Sequence, residues 1–346
     1  MEKDAYKDAG VDIDAAMATK RNIREKVRST FGPEVLTDIG AFGGLFKPDF
    51  KGISDPVIVS SADGVGTKLK VACLTNRHST VGADLVNHCC NDILVMGARP
   101  LFFLDYLAYA KHDDALVSAV IDGLSTACIA NGCALIGGEM AELPDMYKPE
   151  EYDLAGVIIG VVGEHDILDG LKVRPDDVLL GLASTGLHTN GYSLARKLVF
   201  DTAALAPDDF IPGTDTTVAD SLLAVHKSYR PSILPMIKKP GLHALAHITG
   251  GGFPSNVDRV LPPDCDAEIN LDSWEPPPLF DFLAKTGDLN DAELYRTFNM
   301  GVGMVVITSA EDADGISDTL RASGETVYRI GRITSGSGGV RLVRGN

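Results

Sequence analysis

The chain has 346 residues, 45% of them apolar and 23% charged, with a formal net charge of −17. That length favours two domains over one, and the composition is that of a globular enzyme. The acidic balance excludes a nucleic-acid binder, which needs a basic patch to release counterions, and disfavours anionic membrane surfaces.

An anionic small substrate must therefore be held by local donors and metal ions. Cys73, Cys89, Cys90, Cys128, Cys133 and Cys265 show neither a CxxC nor a metal-ligand spacing, which points to a reducing cytoplasm. No basic segment followed by an apolar stretch opens the sequence, so no signal peptide is expected. Residues 115–138 are apolar apart from Asp122, yet read as a core helix and a short strand rather than a membrane span.

In chain order, residues 14–27 carry helix spacing, with Asp12 or Asp14 as cap. The cations Lys20, Arg21, Arg24, Lys26 and Arg28 form either a solvated face or a contact to nucleotide phosphate. Residues 39–45 (IGAFGGL) make a glycine-rich loop around Phe42, either a plain turn or a cover for a nucleotide. The β-branched run Val57, Ile58, Val59 predicts a buried strand. It ends in Asp63, Gly64, Gly66, Thr67 and Lys68. Glycines let the backbone approach a ligand, hydroxyl and ammonium groups suit phosphate, and the aspartate suits Mg²⁺. The order is not that of a Walker loop.

Residues 81–97 read as a helix containing Asp92, an acid with no cap to make there; it is a wet-face residue or a ligand. His88-Cys89-Cys90 is discounted as a metal cluster, because successive helix residues point about 100° apart. Residues 100–110 form a buried strand in which Asp105 needs a partner or a metal. A helix over 113–131 and a strand over 134–137 lead to Gly138 and Glu139, and residues 153–163 make another apolar strand. Polar residues gathered at strand ends suggest an α/β or α+β layer.

The turn-rich stretch 169–175 divides the chain into residues 1–170 and 171–346. A strand over 178–183 feeds residues 184–190 (STGLHTN) and a helix over 191–200, a loop suited to a phosphate monoester. His247 precedes three glycines, Asn299 precedes Gly301 and Gly303, and residues 334–339 (TSGSGG) read as a mobile turn.

Together these motifs resemble one family: YKDAGVDIDA at 6–15, SADGVGTKLK at 61–70, FFLDY at 102–106, GGEMAELPDMY at 137–147, HTNGYSL at 188–194, HITGGGF at 247–253 and YRTFNMGVGM at 295–304. The sequence is similar to the phosphoribosylformylglycinamidine cyclo-ligases, also called aminoimidazole ribonucleotide synthetases, over residues 6–344. The resemblance implies two mixed-sheet α/β to α+β domains covered by helices, with the N-terminal sheets packing across a homodimer interface. It implies ATP and Mg²⁺, and closure of formylglycinamidine ribonucleotide to 5-aminoimidazole ribonucleotide with release of ADP and phosphate, in the cytoplasm. Residues 1–170 would bind ATP and form the dimer; residues 171–346 would bring the substrate loop.

By the same resemblance, Asp63, Asp92 and Glu139 would bind metal. Gly64, Gly66, Thr67 and Lys68 would hold nucleotide phosphates, with Gly40, Phe42 and Gly43 over them. His188, Thr189, Asn190 and Gly191 would hold the ribonucleotide. Asp63, Lys68, His188 and His247 would be catalytic, either histidine moving protons. Arg24 stands where relatives carry a lysine near the nucleotide. The alternatives are another ATP-dependent phosphoryl-transfer enzyme of the superfamily, such as a thiamine-phosphate kinase, or a non-catalytic nucleotide-binding scaffold.

Overall fold

The computed structural model describes residues 13–345; most of the motif at 6–15, with Asp12, lies outside them. The first half runs α1 (Ile13–Arg28), β1 (Pro56–Gly64), α2 (Leu69–Thr75), α3 (Ser79–Leu94), β2 (Arg99–Tyr109), α4 (Asp114–Asn131), β3 (Ala134–Glu142) and β4 (Tyr152–Gly163). Its four strands form a mixed sheet in the order β1-β4-β2-β3, in which β2 and β3 are parallel and the other pairs antiparallel.

Helices α3 and α4 touch backbone to backbone because both carry glycine at the crossing. A Cβ on Gly82 would lie 2.2 Å from the Val120 carbonyl, and one on Gly123 would lie 2.2 Å from that of Ser79. Any larger residue at either position would prise the helices apart. The Asp113 carboxylate caps α4 by accepting from the Ala115 and Leu116 amides, and Gly132 ends it at φ 65°.

The pleat decides which acids share a face. Asp63 on β1 pairs with Gly156 on β4, which pairs with Asp105 on β2, which pairs with Gly138 on β3. Paired residues point to the same side and neighbours along a strand to opposite sides. The row containing Asp63 faces α3, since a Cβ on Gly156 would meet Leu85. Glu139, paired with Tyr106, belongs to the other face. That face is open: Ile58 is 55% exposed, Tyr106 42% and Val157 36%.

The second half holds β5 (Val178–Ala183), α5 (Tyr192–Arg196), α6 (Val218–Leu222), α7 (Arg230–Ile233), β6 (Leu242–His247), α8 (Gly252–Val257), β7 (Cys265–Asn270), α9 (Pro278–Gly287), α10 (Asp291–Thr297), β8 (Val302–Thr308), α11 (Ala313–Ala322), β9 (Val327–Ser335) and β10 (Val340–Val343). Its six strands lie in the order β10-β7-β9-β5-β8-β6, mixed again because β10 joins β7 in parallel. The β8 strand is buried at every position, as its unbroken apolar run requires.

Two expectations change. The helix foreseen over 191–200 is α for only five residues and then widens into a π-helical segment, Lys197–Thr202. The stretch 334–339 is pinned rather than mobile, because the Asp266 carboxylate accepts from the Ser337 and Gly339 amides at 2.7 and 2.9 Å. Among the α1 cations, Arg24 and Arg28 pair with Asp38 and Lys26 with Asp122 on a partly exposed face, in keeping with the solvated-face alternative. Among the described residues no helix is long and apolar enough to cross a membrane.

Candidate functional site

The site lies where α3 of the first half meets the loop after β5, the segment before α7 and the end of β6. Helical spacing puts Asp84, His88 and Asp92 on one stripe of α3, four residues apart. His188 and Thr189 come from the loop between β5 and α5, His226 from the segment before α7, and His247 from the last position of β6.

These groups form a closed circuit. The Asp63 carboxylate lies 2.8 Å from His88 Nε2, and His88 Nδ1 lies 2.7 Å from Thr189 Oγ1. Thr189 Oγ1 is 3.2 Å from His226 Nδ1, and His226 Nε2 is 3.0 Å from His247 Nε2. His247 Nδ1 lies 2.8 Å from Asp92 Oδ1, and Asp92 Oδ2 returns to His88 Nε2 at 3.6 Å. Ser61 donates to Asp92 Oδ2 at 3.2 Å. All four histidines are buried, whereas the Asp63 and Asp92 side chains are 43% and 25% exposed, so the carboxylates form the mouth.

Burial sets the electrostatics. Desolvation, reinforced by nearby cationic and imidazole groups, holds His188 and His226 well below the ordinary imidazole value. Desolvation also keeps His247 below it, against the opposing pull of Asp92. His88 goes the other way: burial would lower it, but the Asp63 hydrogen bond and the charges of Asp92, Asp63 and Asp84 raise it. In Asp63 and Asp92 burial is likewise outweighed, by His88 and His247 respectively, and both sit below the usual carboxylate range. Asp105, buried near Glu139, is pushed up to about 7, chiefly by desolvation.

Several sequence-assigned residues stand elsewhere than expected. Lys68 was read as facing triphosphate; its ammonium instead turns inward, fully enclosed, 2.8 Å from Asp84. It also donates to the Ala224 and His188 carbonyls at 2.7 and 3.2 Å, which ties the turn after β1 to the second half. No donor is left for a nucleotide. The reason is α3: Asp84 is wholly buried and demands a cation.

Asp63, Asp92 and Glu139 do not converge as one metal cage. Asp63 and Asp92 meet around His88, but Glu139 lies on the opposite face and three inter-strand steps away, roughly 14 Å. The Gly40–Phe42–Gly43 loop is exposed, and neighbouring Gly44 packs against Ile136 of β3. It stands at the sheet edge opposite β1, apart from Gly64, Gly66 and Thr67.

His188 is buried at φ 60°, stacked on His226 with ring centroids 4.0 Å apart. It supports the site from behind rather than opening to solvent. Asn190 is half-buried, and its amide nitrogen has no hydrogen-bond partner among the described residues. Gly191 needs its φ of 78° and its missing side chain, since a Cβ would sit 2.5 Å from the Phe298 ring.

Thr67 reaches Ser193 at 3.2 Å across the junction. Beside them opens a cavity of about 470 Å³ whose lining balances Lys70, Arg196 and Lys197 against Glu150, Glu151 and Asp201, with Lys70 already paired to Glu151. Asn299 is structural: its amide nitrogen donates to the Gly186 carbonyl, and its oxygen accepts from the Gly301 amide.

Two members of the circuit escaped sequence reasoning. His88 was set aside with its cysteine neighbours, which point into the core, and His226 belongs to no motif. Asp84 carried a signal, an acid four residues before His88 and eight before Asp92 on one stripe of a helix.

Comparison with known proteins agrees with this architecture. Residues 51–162 match the family described as AIR synthase related protein, N-terminal domain, and residues 174–344 match its C-terminal domain. A phosphoribosylformylglycinamidine cyclo-ligase of Geotalea uraniireducens (strain Rf4) is 49% identical over 338 residues, covering 98% of this chain and 97% of the relative. The fold is shared with thiamine-monophosphate kinase from Stenotrophomonas maltophilia K279a, at TM-score 0.70 and 20% identity over 92% of this chain and 95% of that one. It is also shared with the hydrogenase maturation protein HypE in complex with ATP, at TM-score 0.70 and 16% identity over 97% and 93% of the two chains. The chain belongs to the phosphoribosylformylglycinamidine cyclo-ligase family of enzymes.

Proposed function

We propose that this chain closes formylglycinamidine ribonucleotide to 5-aminoimidazole ribonucleotide, using ATP and releasing ADP and phosphate, as a step of purine biosynthesis in the cytoplasm. The full-length relation to a cyclo-ligase supports the reading most directly, and identity of 49% there against 20% for the kinase of the same fold favours it over a thiamine-phosphate kinase. The formyl oxygen attacks the γ-phosphorus of ATP, and ADP leaves. The amidine-side nitrogen then attacks the activated carbon, the C–O bond breaks, phosphate departs and a proton is lost. This chemistry asks for positioning and charge neutralisation more than for a protein nucleophile.

Residues 1–170 take ATP and residues 171–346 take the ribonucleotide. Gly66 and Thr67 present backbone and hydroxyl donors to phosphate, while the Gly64 amide holds the Asp63 carboxylate. The Asn190 amide, with Thr189 and Gly191, faces the ribonucleotide. Mg²⁺ is held in such sites by one or two carboxylates plus substrate phosphates. Exposed Asp63 would be the oxygen donor to nucleotide-borne Mg²⁺, whose charge would offset that of the transferring phosphoryl group. His247, buried against Asp92, is the histidine that takes the proton in this reading, and His188 orients the stack behind it.

The open sheet face around Ile58, Tyr106 and Val157 serves a homodimer. Incubating the pure protein with ATP, Mg²⁺ and formylglycinamidine ribonucleotide should give phosphate and aminoimidazole product one for one. Phosphate release that ignores the ribonucleotide would overturn the reading.

A further inference from the structure

We propose that Cys133 is an oxidation site: a hydroperoxide converts its thiol to a sulfenic acid, which Cys128 closes to a reversible disulfide that loosens the segment carrying His226. Neither cysteine belongs to the circuit described above.

The turn that ends α4 brings the two thiols together. The Cys133 amide donates to the Cys128 carbonyl at 3.0 Å and the Gly132 amide to that of Ile129 at 3.1 Å, with Gly132 at φ 65°. In a helix ending of this kind the residue after the glycine packs its side chain on the residue five back. Here both are cysteine, and Cys133 Sγ lies 3.7 Å from the Cys128 carbonyl. Backbones held this closely are within the reach of a disulfide. The Cys90 thiol of α3 also reaches Cys133.

The surroundings make Cys133 the reactive member. The thiolate is the nucleophile, and a nearby cation favours it. Arg230, the first residue of α7, lies against the turn: a Cβ on Gly132 would sit 3.0 Å from its Nη2. Its Nε is buried without a hydrogen-bond partner among the described residues. Hydrogen bonds from the Cys128 and Cys90 thiols, helped by the Arg230 charge, hold Cys133 well below the ordinary thiol value against burial. Burial pushes Cys128 and Cys90 well above it, so they stay protonated. Access favours the same residue. Cys90 and Cys128 are wholly enclosed, whereas Cys133 is 4% exposed and lines a cavity of about 300 Å³ that exposed Ile129 opens to solvent.

The Cys133 thiolate attacks the protonated oxygen of the hydroperoxide. An S–O bond forms, the O–O bond breaks, and the alkoxide or hydroxide leaves to be protonated by solvent. The Cys128 sulfur then attacks the Cys133 sulfur, its proton joins the departing hydroxide, and water is released. The two thiols lose two electrons and the peroxide gains them. The same turn braces the second half. Asn131 accepts from the Ser228 hydroxyl at 2.6 Å and donates to the Asn87 oxygen at 2.7 Å, while the Asn87 nitrogen donates to the His226 carbonyl at 2.7 Å. Drawing Cys133 onto Cys128 to disulfide distance strains that brace.

Reduced full-length protein is treated with hydrogen peroxide, alkylated after denaturation and digested with trypsin. The fragment 112–172, which carries both cysteines, should appear two hydrogens lighter and closed to alkylation, and thiol reductant should reverse this. Cys128→Ser should instead leave a Cys133 sulfenic acid that a 1,3-dione probe labels, and Cys133→Ser should give neither product. Should Cys133→Ser misfold, the probe labelling of Cys128→Ser decides in its place. A Cys133 that stays open to alkylation after the half-buried Cys73 has been oxidised would overturn the inference, as would a bridge made through Cys90. The coupling to His226 is read by turnover, and that readout alone rests on the proposed reaction: the rate should fall in step with the bridged fraction and return on reduction. Bridged protein at the parental rate would overturn the coupling. Bridging in a chain that never turns over supports the site and counts against the reaction.

Discussion

The Lys68 ammonium and the Asp84 carboxylate lie 2.8 Å apart with neither side chain exposed at all. Burial pushes the lysine down and the aspartate up, and each charge opposes the shift of the other. A buried pair of this kind contributes little net stability over an apolar pair, yet breaking it leaves a bare charge inside. Lys68→Met should therefore cost about 3–5 kcal/mol in chemical denaturation, and Lys68→Met with Asp84→Leu should recover most of it. A Lys68→Met chain of parental stability that has lost only ATP affinity would return Lys68 to the nucleotide.

Gly303 of β8 packs against the histidine stack. A Cβ there would lie 2.3 Å from the Tyr229 hydroxyl and 2.4 Å from His188 Cε1. Gly303→Ala should cost about 1–3 kcal/mol by overpacking and depress turnover beyond what the fraction folded explains. Unchanged kinetics would mean that the stack is not coupled to the reacting end.

Stability should fall on the acid side of the ordinary imidazole value. His188, His226 and His247 are depressed when folded, so the unfolded chain binds protons there first and the stability they provide is lost as pH drops below about 6.5. His88 is raised and opposes this, its contribution being full below that pH and lost as pH rises through its folded value. His226→Gln should flatten the acid slope, whereas His88→Gln should remove the loss of stability that sets in as pH rises above about 6.5, read as denaturation midpoints across pH. The opposite ordering would contradict the assigned directions.

The strand ends were legible because β-branched runs closing in glycine and acid leave few alternatives: β5 begins and ends where its apolar run does. Asp63 stands at such a strand end, whereas Asp92 lies inside α3 and both it and His247 are singled out by the family resemblance rather than by spacing. The inward turn of Lys68 was not, since it depends on Asp84 in another element and on carbonyls of the second half. His226 touches Asn91 and His247 only through the tertiary fold. Glu139 was grouped with Asp63 by motif, and only the register of four strands shows them on opposite faces.

The open sheet face predicts association. Val157→Lys places a cation in the middle of that apolar face, and sedimentation should show the mass fall from dimer to monomer while circular dichroism stays that of the parent. A parent chain that sediments as a monomer would leave the face without a partner.

The central claim is that ATP activates the formyl oxygen. Substrate carrying a heavy oxygen isotope in its formyl group, turned over once with unlabelled ATP, tests it most directly by mass spectrometry of the phosphate released. The account predicts one labelled oxygen in every phosphate. Unlabelled phosphate, with the label lost to water, would contradict it.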